Sequence, residues 1–238
     1  MKKIVTLDHD EASFLVAESI ANLVRTKKDA CLGLATGGSM ELVYANLVKF
    51  YEKGEVSFSR VTTINLDEYI GLPPSHPQSY RQYMNRHFFD LVDIDKANTY
   101  IPMGMEAHEA MLTAFHKFLD SHPRDFQLLG IGTNGHIGFN EPDAFFEANA
   151  YIVTLDERTR KDNSRFFGSI NEVPRQAVTM GVGDIMKASK IMLLVRGENK
   201  KEALHELLSH NKADPRVPCT ILKLHNDAAV VFPKELAS

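Results

Sequence analysis

Cys31-Leu-Gly-Leu-Ala35-Thr-Gly-Gly-Ser39 reads as a short, wholly apolar strand running straight into a glycine turn. Val43, Leu47 and Phe50 then recur at helical spacing, and Val61 to Leu66 is the next strand candidate. A strand with no polar face must be covered on both sides, which is the condition inside a parallel sheet rather than at the surface of an antiparallel one. The same alternation continues in both directions. Ile4 to Leu7 is a strand candidate, and Asp10 is placed to cap a helix carrying Val16, Ile20 and Leu23 at i, i+4 and i+7. After the loop Leu72-Pro-Pro-Ser-His-Pro77, Ser79 can cap a helix running through Phe88. Met111, Ala114, Phe115 and Phe118 mark another helix, and Phe126 to Ile131 a buried strand that ends in Gly132-Thr-Asn-Gly-His136. Tyr151 to Leu155, Ile191 to Val195, Cys219 to Leu222 and Ala228 to Phe232 are further strand candidates, with a helix over Ala203, Leu204, Leu207 and Leu208. The pattern predicts an α/β fold, a mainly parallel, doubly wound, Rossmann-like sheet with helices on both faces. No linker, repeat or low-complexity tract divides the chain, so one domain is expected over residues 1–238.

Composition narrows the function. A formal charge of −4 gives no positive field for DNA, RNA or an anionic membrane, so a small anion would need a local cluster of donors. The two cysteines, Cys31 and Cys219, lie in apolar runs and read as buried reduced thiols. Asp8 interrupts the short apolar start, which is no signal peptide, and no run reaches the roughly 18 apolar residues of a membrane span. A cytoplasmic protein is expected.

Three polar clusters directly follow predicted strands, the place where doubly wound sheets bind ligands. Thr36-Gly37-Gly38-Ser39 can hold a phosphate with backbone amides and a hydroxyl at a helix start. It has neither the Lys-Ser/Thr pair of a Walker loop nor G-x-G-x-x-G spacing, and an ordinary strand-to-helix turn uses the same letters. In Asn65-Leu-Asp67-Glu68-Tyr69 two adjacent carboxylates point to opposite sides of a strand. Asp67 is a candidate general base, although from this segment alone a helix cap or solvated turn is the favoured reading. Gly130-Ile-Gly-Thr-Asn134-Gly-His136-Ile-Gly-Phe-Asn-Glu141-Pro142 carries four glycines in nine residues, which lets backbone and ligand approach closely. Glu141 can hold one nitrogen of His136 and raise the basicity of the other. His136 lacks a second ligand at metal spacing, so no metal is expected. A fourth set, Arg158, Arg160, Lys161, Arg165, Lys200 and Lys201, can supply phosphate donors, and spacing does not say which of them turn inward.

The segments Gly33-Leu-Ala-Thr-Gly-Gly-Ser39, Asn65-Leu-Asp-Glu-Tyr-Ile-Gly-Leu-Pro73, Ser75-His-Pro-Gln-Ser-Tyr80, Gly135-His-Ile-Gly-Phe-Asn-Glu-Pro142, Asn163-Ser-Arg-Phe-Phe167 and Ala177-Val-Thr-Met-Gly-Val-Gly183 together resemble the glucosamine-6-phosphate deaminase family in order and spacing. The resemblance implies a three-layer αβα sandwich. It implies a cofactor-free isomerisation with deamination, glucosamine 6-phosphate and water giving fructose 6-phosphate and ammonium, in amino-sugar catabolism. By the same resemblance Asp67 moves a proton between C2 and C1. His136, held by Glu141, assists ring opening. Ser39, the Gly37 and Gly38 amides, Arg165 and Lys200 bind phosphate, with Lys201 the alternative to Lys200. A flap within residues 144–183 is expected to move.

Two departures from the family pattern stand out. Asn134 occupies a position where many members carry Asp, and an amide can orient a neighbour but cannot take a proton. Tyr151 and Val153 stand where allosteric hexameric members have basic residues. The expectation is a monomer that N-acetylglucosamine 6-phosphate does not activate. The rivals are a 6-phosphogluconolactonase-like hydrolase, which would not need the Phe-Asn-Glu-Pro continuation, and a sugar-phosphate sensor without catalysis, which would not need Asp67, His136 and Glu141 together.

Overall fold

In a computed structural model, which describes residues 1–105 and 108–237 and all of their side chains except those of Arg158 and Asp162, β2 (Cys31–Leu34) is the axis of the molecule. It pairs in parallel with β3 (Thr62–Asn65) on one side and β6 (Phe126–Gly130) on the other. Beyond β3 lies β5 (Thr99–Tyr100). Beyond β6 follow β9 (Ile191–Leu194), β10 (Ala228–Pro233) and β1 (Lys2–Thr6), all parallel. The order of the seven strands is therefore β1-β10-β9-β6-β2-β3-β5. The chain moves outward from β2 to β3 and β5, then returns to place β6 on the other side of β2. That reversal opens a crevice at the carboxyl ends of β2 and β6. Flanking helices complete the expected αβα sandwich. Among them are α1 (His9–Thr26) and α2 (Glu41–Glu52), which pack on each other, with α1 lying on β9 and β10. The helix expected from Met111 to Phe118 is α4 (His108–Ser121), which buries Met111, Phe115 and Leu119. Among the described residues no helix is long and apolar enough to cross a membrane.

The continuous apolar strands are covered as their composition requires. Every residue of β2 and β9 is buried, and so is every residue of β10. Gly33 shows how tightly the centre closes. A Cβ there would lie 2.0 Å from Oε1 of Gln127, its register partner on β6, whose side chain is wholly buried. Gln127 Nε2 already donates to Leu128 O at 2.9 Å, so the amide cannot swing aside without losing that bond. Gly33→Ala is expected to cost ~3 kcal/mol, read as a lowered urea midpoint at unchanged slope. A midpoint equal to that of wild type would show that the interface can relax.

A second, smaller sheet was not foreseen. The run predicted as one strand from Val61 bends after Leu66. Leu66 N donates to Leu34 O at 3.1 Å in the large sheet, while its carbonyl accepts from Met180 N at 2.8 Å. Beyond this hinge β4 (Asp67–Tyr69) pairs antiparallel with β8 (Gln176–Thr179), which pairs antiparallel with β7 (Tyr151–Thr154). Tyr151 to Leu155 is thus a strand, as expected, but of this sheet.

Cys219 to Leu222 is not a strand; it lies in a 3-10 helix, Pro218–Leu224. Four apolar residues do not separate a buried helix from a strand. Pro218 at the helix start has no N–H to give a ladder, and Cys219 N is spent on Gly135 O at 2.8 Å. Asp8, not Asp10, caps α1, its carboxylate accepting from Glu11 N at 2.8 Å. Ser79 caps α3 (Tyr80–Met84) as expected, accepting from Gln82 N at 3.2 Å, and the helix then widens to a π turn over Asn85–Phe89.

Candidate active site

The crevice holds a cavity of about 820 Å³. Its walls include Gly37, Gly38 and Ser39 after β2, Asp67 at the start of β4, His136 after β6, Arg165 after α5 (Glu157–Asn163) and Lys200 after β9. The structure therefore brings seven of the nine sequence candidates to one cavity. The other two, Asn134 and Glu141, stand behind His136.

The His136 loop is a tight structure. Gly132 N donates to His136 O at 2.9 Å, and Gly135, at φ 85°, turns the chain back. A Cβ on Gly132 would lie 2.2 Å from Cε1 of His136, so the ring rests where only glycine leaves room. His136 Nδ1 lies 3.2 Å from Glu141 Oε2. That same oxygen accepts from Asn134 Nδ2 at 2.7 Å, and Asn134 Oδ1 accepts from His136 N at 3.2 Å. Glu141 Oε1 accepts from Thr159 Oγ1 at 2.5 Å. Burial alone would raise the Glu141 carboxyl, but His136, Thr159 and Asn134 outweigh it and hold it down at about 2. Nδ1 and Oε2 stand at ion-pair distance without the alignment of a hydrogen bond, but an ionised carboxylate can only accept, so it favours the tautomer with the proton on Nδ1 and Nε2 left for the cavity.

Asp67 is the opposite case. The residue is 6% exposed, and Oδ2 lies 3.5 Å from where a Cβ on Gly138 would stand. Burial first, and then the charge of Glu68, push it up to about 8. Glu68 points away, as strand alternation requires. Its Oε1 accepts from Tyr69 N and Tyr80 N at 2.9 and 3.0 Å, and its Oε2 from Arg81 N at 3.2 Å, so it ties β4 to the first turn of α3. Burial raises Glu68 to about 7 against those three amides and the Arg81 charge. Of the adjacent carboxylates one serves the cavity and the other the scaffold.

At the other end of the cavity the Gly37 turn, at φ 101°, is braced from two directions. Tyr83 Oη donates to Gly37 O at 2.8 Å and Arg196 Nη1 to Gly38 O at 3.3 Å. Arg86, His87 and Arg196 join Arg165 and Lys200 in the walls, with Glu41. The three Arg and one Lys outnumber the acids Glu41 and Asp67, a lining suited to a phosphate dianion. Arg196 was missed in the sequence although it directly follows a buried strand, the rule that found the other clusters. Of the remaining basic candidates, Lys201 lines a separate groove with Glu202 and His205, which favours Lys200 over it. Arg160 donates to Ile170 O and Val173 O at 2.8 and 3.1 Å, a loop brace. Lys161 is exposed and not in the cavity walls. The Arg158 side chain lies outside the described ones. Among the described residues no three His, Cys, Asp or Glu side chains converge to hold a metal.

Residues 9–231 match the family model described as glucosamine-6-phosphate isomerases/6-phosphogluconolactonase. The chain is 46% identical over 240 residues to a Thermoanaerobacter sp. (strain X514) protein named glucosamine-6-phosphate deaminase, covering 100% of this chain and 94% of that one. It superposes with a TM-score of 0.96 on a solved structure described as a monomeric glucosamine-6-phosphate deaminase, at 41% identity and over 100% and 99% of the two chains. A 6-phosphogluconolactonase from Trypanosoma cruzi shares the fold at a TM-score of 0.75 and 18% identity, over 99% and 95%.

Proposed function

The chain belongs to the glucosamine-6-phosphate isomerase/6-phosphogluconolactonase family, and we propose that within it the protein is a deaminase converting glucosamine 6-phosphate and water to fructose 6-phosphate and ammonium. Identity separates the two branches: 46% and 41% to deaminases against 18% to a lactonase. The observation that carries the reading is the buried Asp67 carboxyl in one cavity with the His136–Glu141 pair and a cationic glycine turn.

The chemistry runs between those groups. Ser39, the Gly37 and Gly38 amides, Arg165 and Lys200 grip the phosphate, which fixes the sugar carbons by binding energy remote from them. His136 Nε2 takes the proton of the anomeric hydroxyl and returns one to the ring oxygen, opening the pyranose. The C1 aldehyde and C2 ammonium acidify the C2 proton. The Asp67 carboxylate removes it while an ammonium N–H proton passes to O1, leaving a neutral enolamine, and Asp67 then delivers its proton to C1 to give a C2 iminium. Water adds to that carbon and ammonium leaves. The enolamine needs no electron sink, so the residues suffice without a cofactor. Asn134 holds Glu141 and His136 by hydrogen bonds and takes no proton.

The assay that tests the reading is ammonia release from glucosamine 6-phosphate by the purified protein; absence of release with full binding of the sugar would leave a sensor. A pH profile tests Asp67 more sharply. Only the carboxylate can accept the C2 proton, and in the free enzyme the group titrates at about 8. kcat/KM is expected to rise roughly tenfold from pH 6.5 to 8. A bound C2 ammonium favours ionisation, so the acid limb of kcat should lie at lower pH than that of kcat/KM. A flat profile across this span would remove Asp67 as the base.

A monomer in the cytoplasm, unresponsive to N-acetylglucosamine 6-phosphate, completes the proposal. The monomeric relative supports the first point, and Tyr151 and Val153 on β7 offer no cations to a second sugar phosphate. The proposed flap is narrower than 144–183. Val182 N donates to Glu147 O at 2.7 Å, Asp184 N to Ala148 O at 2.9 Å, and Ala150 N to Asp184 Oδ2 at 2.6 Å. These bonds stitch its two ends together, and β7 and β8 are paired beyond them. The part left to move runs over residues 155–175 and carries Arg165 with it.

A further inference from the structure

We propose that Thr159 is a positioning residue that couples the phosphate-gripping segment to the ring-opening pair: its hydroxyl fixes the Glu141 carboxylate, and through it the His136 imidazole, when α5 is seated. The inference rests on the deaminase reading for its kinetic consequence and on geometry for its origin. Glu141 divides its two oxygens. Oε2 meets Asn134 and His136, both from its own loop, whereas Oε1 accepts from Thr159, which belongs to α5. Thr159 is 4% exposed, although α5 is a short helix of largely charged and polar residues with no apolar face to account for burying that position. Its hydroxyl has a charged acceptor at 2.5 Å, and it forms part of the cavity wall.

The segment is tied to the site at other points along its length. Asn163, about one turn later, reaches the Tyr69 hydroxyl, and the Phe167 ring packs 5.8 Å from that of Tyr69. Arg165 lies between these two anchors. A phosphate drawn to Arg165 therefore holds the same short stretch that delivers the Thr159 hydroxyl. When the stretch lifts, Glu141 Oε1 loses its donor and the carboxylate is free to rotate about its last torsion. The imidazole it orients then loses its fixed direction. The coupling makes ring opening efficient when the phosphate is in place.

Thr159→Val removes the hydroxyl and keeps the branched shape; Thr159→Ser keeps the hydroxyl. With glucosamine 6-phosphate, Thr159→Val is expected to lower kcat ~10–100-fold with KM within about twofold, and Thr159→Ser to restore most of the loss. In a cycle with Glu141→Gln, the double variant should lose no more than Glu141→Gln alone. The reading without activity is the downfield Nδ1–H proton of His136 in histidine-labelled protein. It should be sharp in wild type and Thr159→Ser and broadened or lost in Thr159→Val. Wild-type kcat in Thr159→Val, additive losses in the double variant, or an unchanged His136 signal would each overturn the proposal. If wild type releases no ammonia, it is the deaminase reading that fails, and the His136 signal still decides the role of Thr159.

Discussion

Asp67→Asn is expected to lose about 10³–10⁴-fold in kcat, to bind glucosamine 6-phosphate nearly as well as wild type, and to outlast wild type on heating above pH 8. The loss follows from chemistry: an amide cannot carry the C2 proton to C1. Binding survives because the phosphate donors lie on other elements, after β2, α5 and β9. The stability gain has the same origin as the catalytic power. Burial lifts the Asp67 carboxyl from 3.8 to about 8, so the folded protein keeps a proton that the unfolded chain gives up. That contribution is complete below about pH 4 and is lost as pH rises through 8. At alkaline pH the loss amounts to at most ~5 kcal/mol, because charged-state relaxation and water entry reduce it. The amide of the variant is neutral at every pH and escapes the cost. Glu68, raised to about 7, pulls in the same direction, while Glu141, held at about 2, stabilises above pH 4.5 and ceases to only in strong acid. Thermal unfolding at pH 6 and pH 9 therefore separates the effects: the variant's advantage should widen by several degrees at pH 9. An advantage that does not change with pH would mean that Asp67 ionises freely in the fold, and full turnover in the variant would take the base role from it.

How much of this was legible before folding depended on whether a residue's neighbours in space were also its neighbours in sequence. Gly37 to Ser39 and Gly132 to Glu141 each follow a mostly apolar buried strand, so the chain itself announces that they sit at strand ends, and the fold rule puts strand ends at the crevice. The alternation rule also assigned Asp67 and Glu68 to opposite sides correctly. What it could not assign was which one faced the cavity. That depends on α3, whose first amides claim Glu68 across twelve residues of chain. The second sheet was hidden for a like reason. β4 is three residues long and pairs with a strand more than a hundred positions away. Arg196 carried a usable signal, its place at the end of β9, whereas Thr159 carried none. α5 has no apolar stripe, and burial of one threonine among charged residues is decided by Glu141 from another element. Arg86 and His87 were masked by the helix around them, whose π turn at Asn85–Phe89 alters which positions share a face.

His136→Gln should separate ring opening from the isomerisation that follows, and its signature is kinetic form rather than size alone. Glutamine can hydrogen-bond to a sugar but cannot shuttle a proton between the anomeric hydroxyl and the ring oxygen, so kcat is expected to fall about 10²–10³-fold. The Asp67 step is untouched, because Asp67 is held by β4 and the smaller sheet, and the substitution changes neither these nor the Gly138 backbone beside the carboxyl. The variant should therefore still process the small open-chain fraction of glucosamine 6-phosphate already present in solution. Mixing a high concentration of variant with substrate should give a brief burst of ammonia matching that fraction. A slow phase should follow whose rate is the uncatalysed ring opening and which stops increasing as more enzyme is added. Asp67→Asn under the same conditions should give no burst. The network behind His136 makes a further distinction. Glu141 remains bonded to Asn134 and Thr159 when the imidazole is gone, so the loop keeps its shape and the defect cannot be assigned to collapse of the site. A slow phase that keeps rising in proportion to enzyme would mean that another group opens the ring, and the pairing of His136 with Glu141 would then serve binding alone.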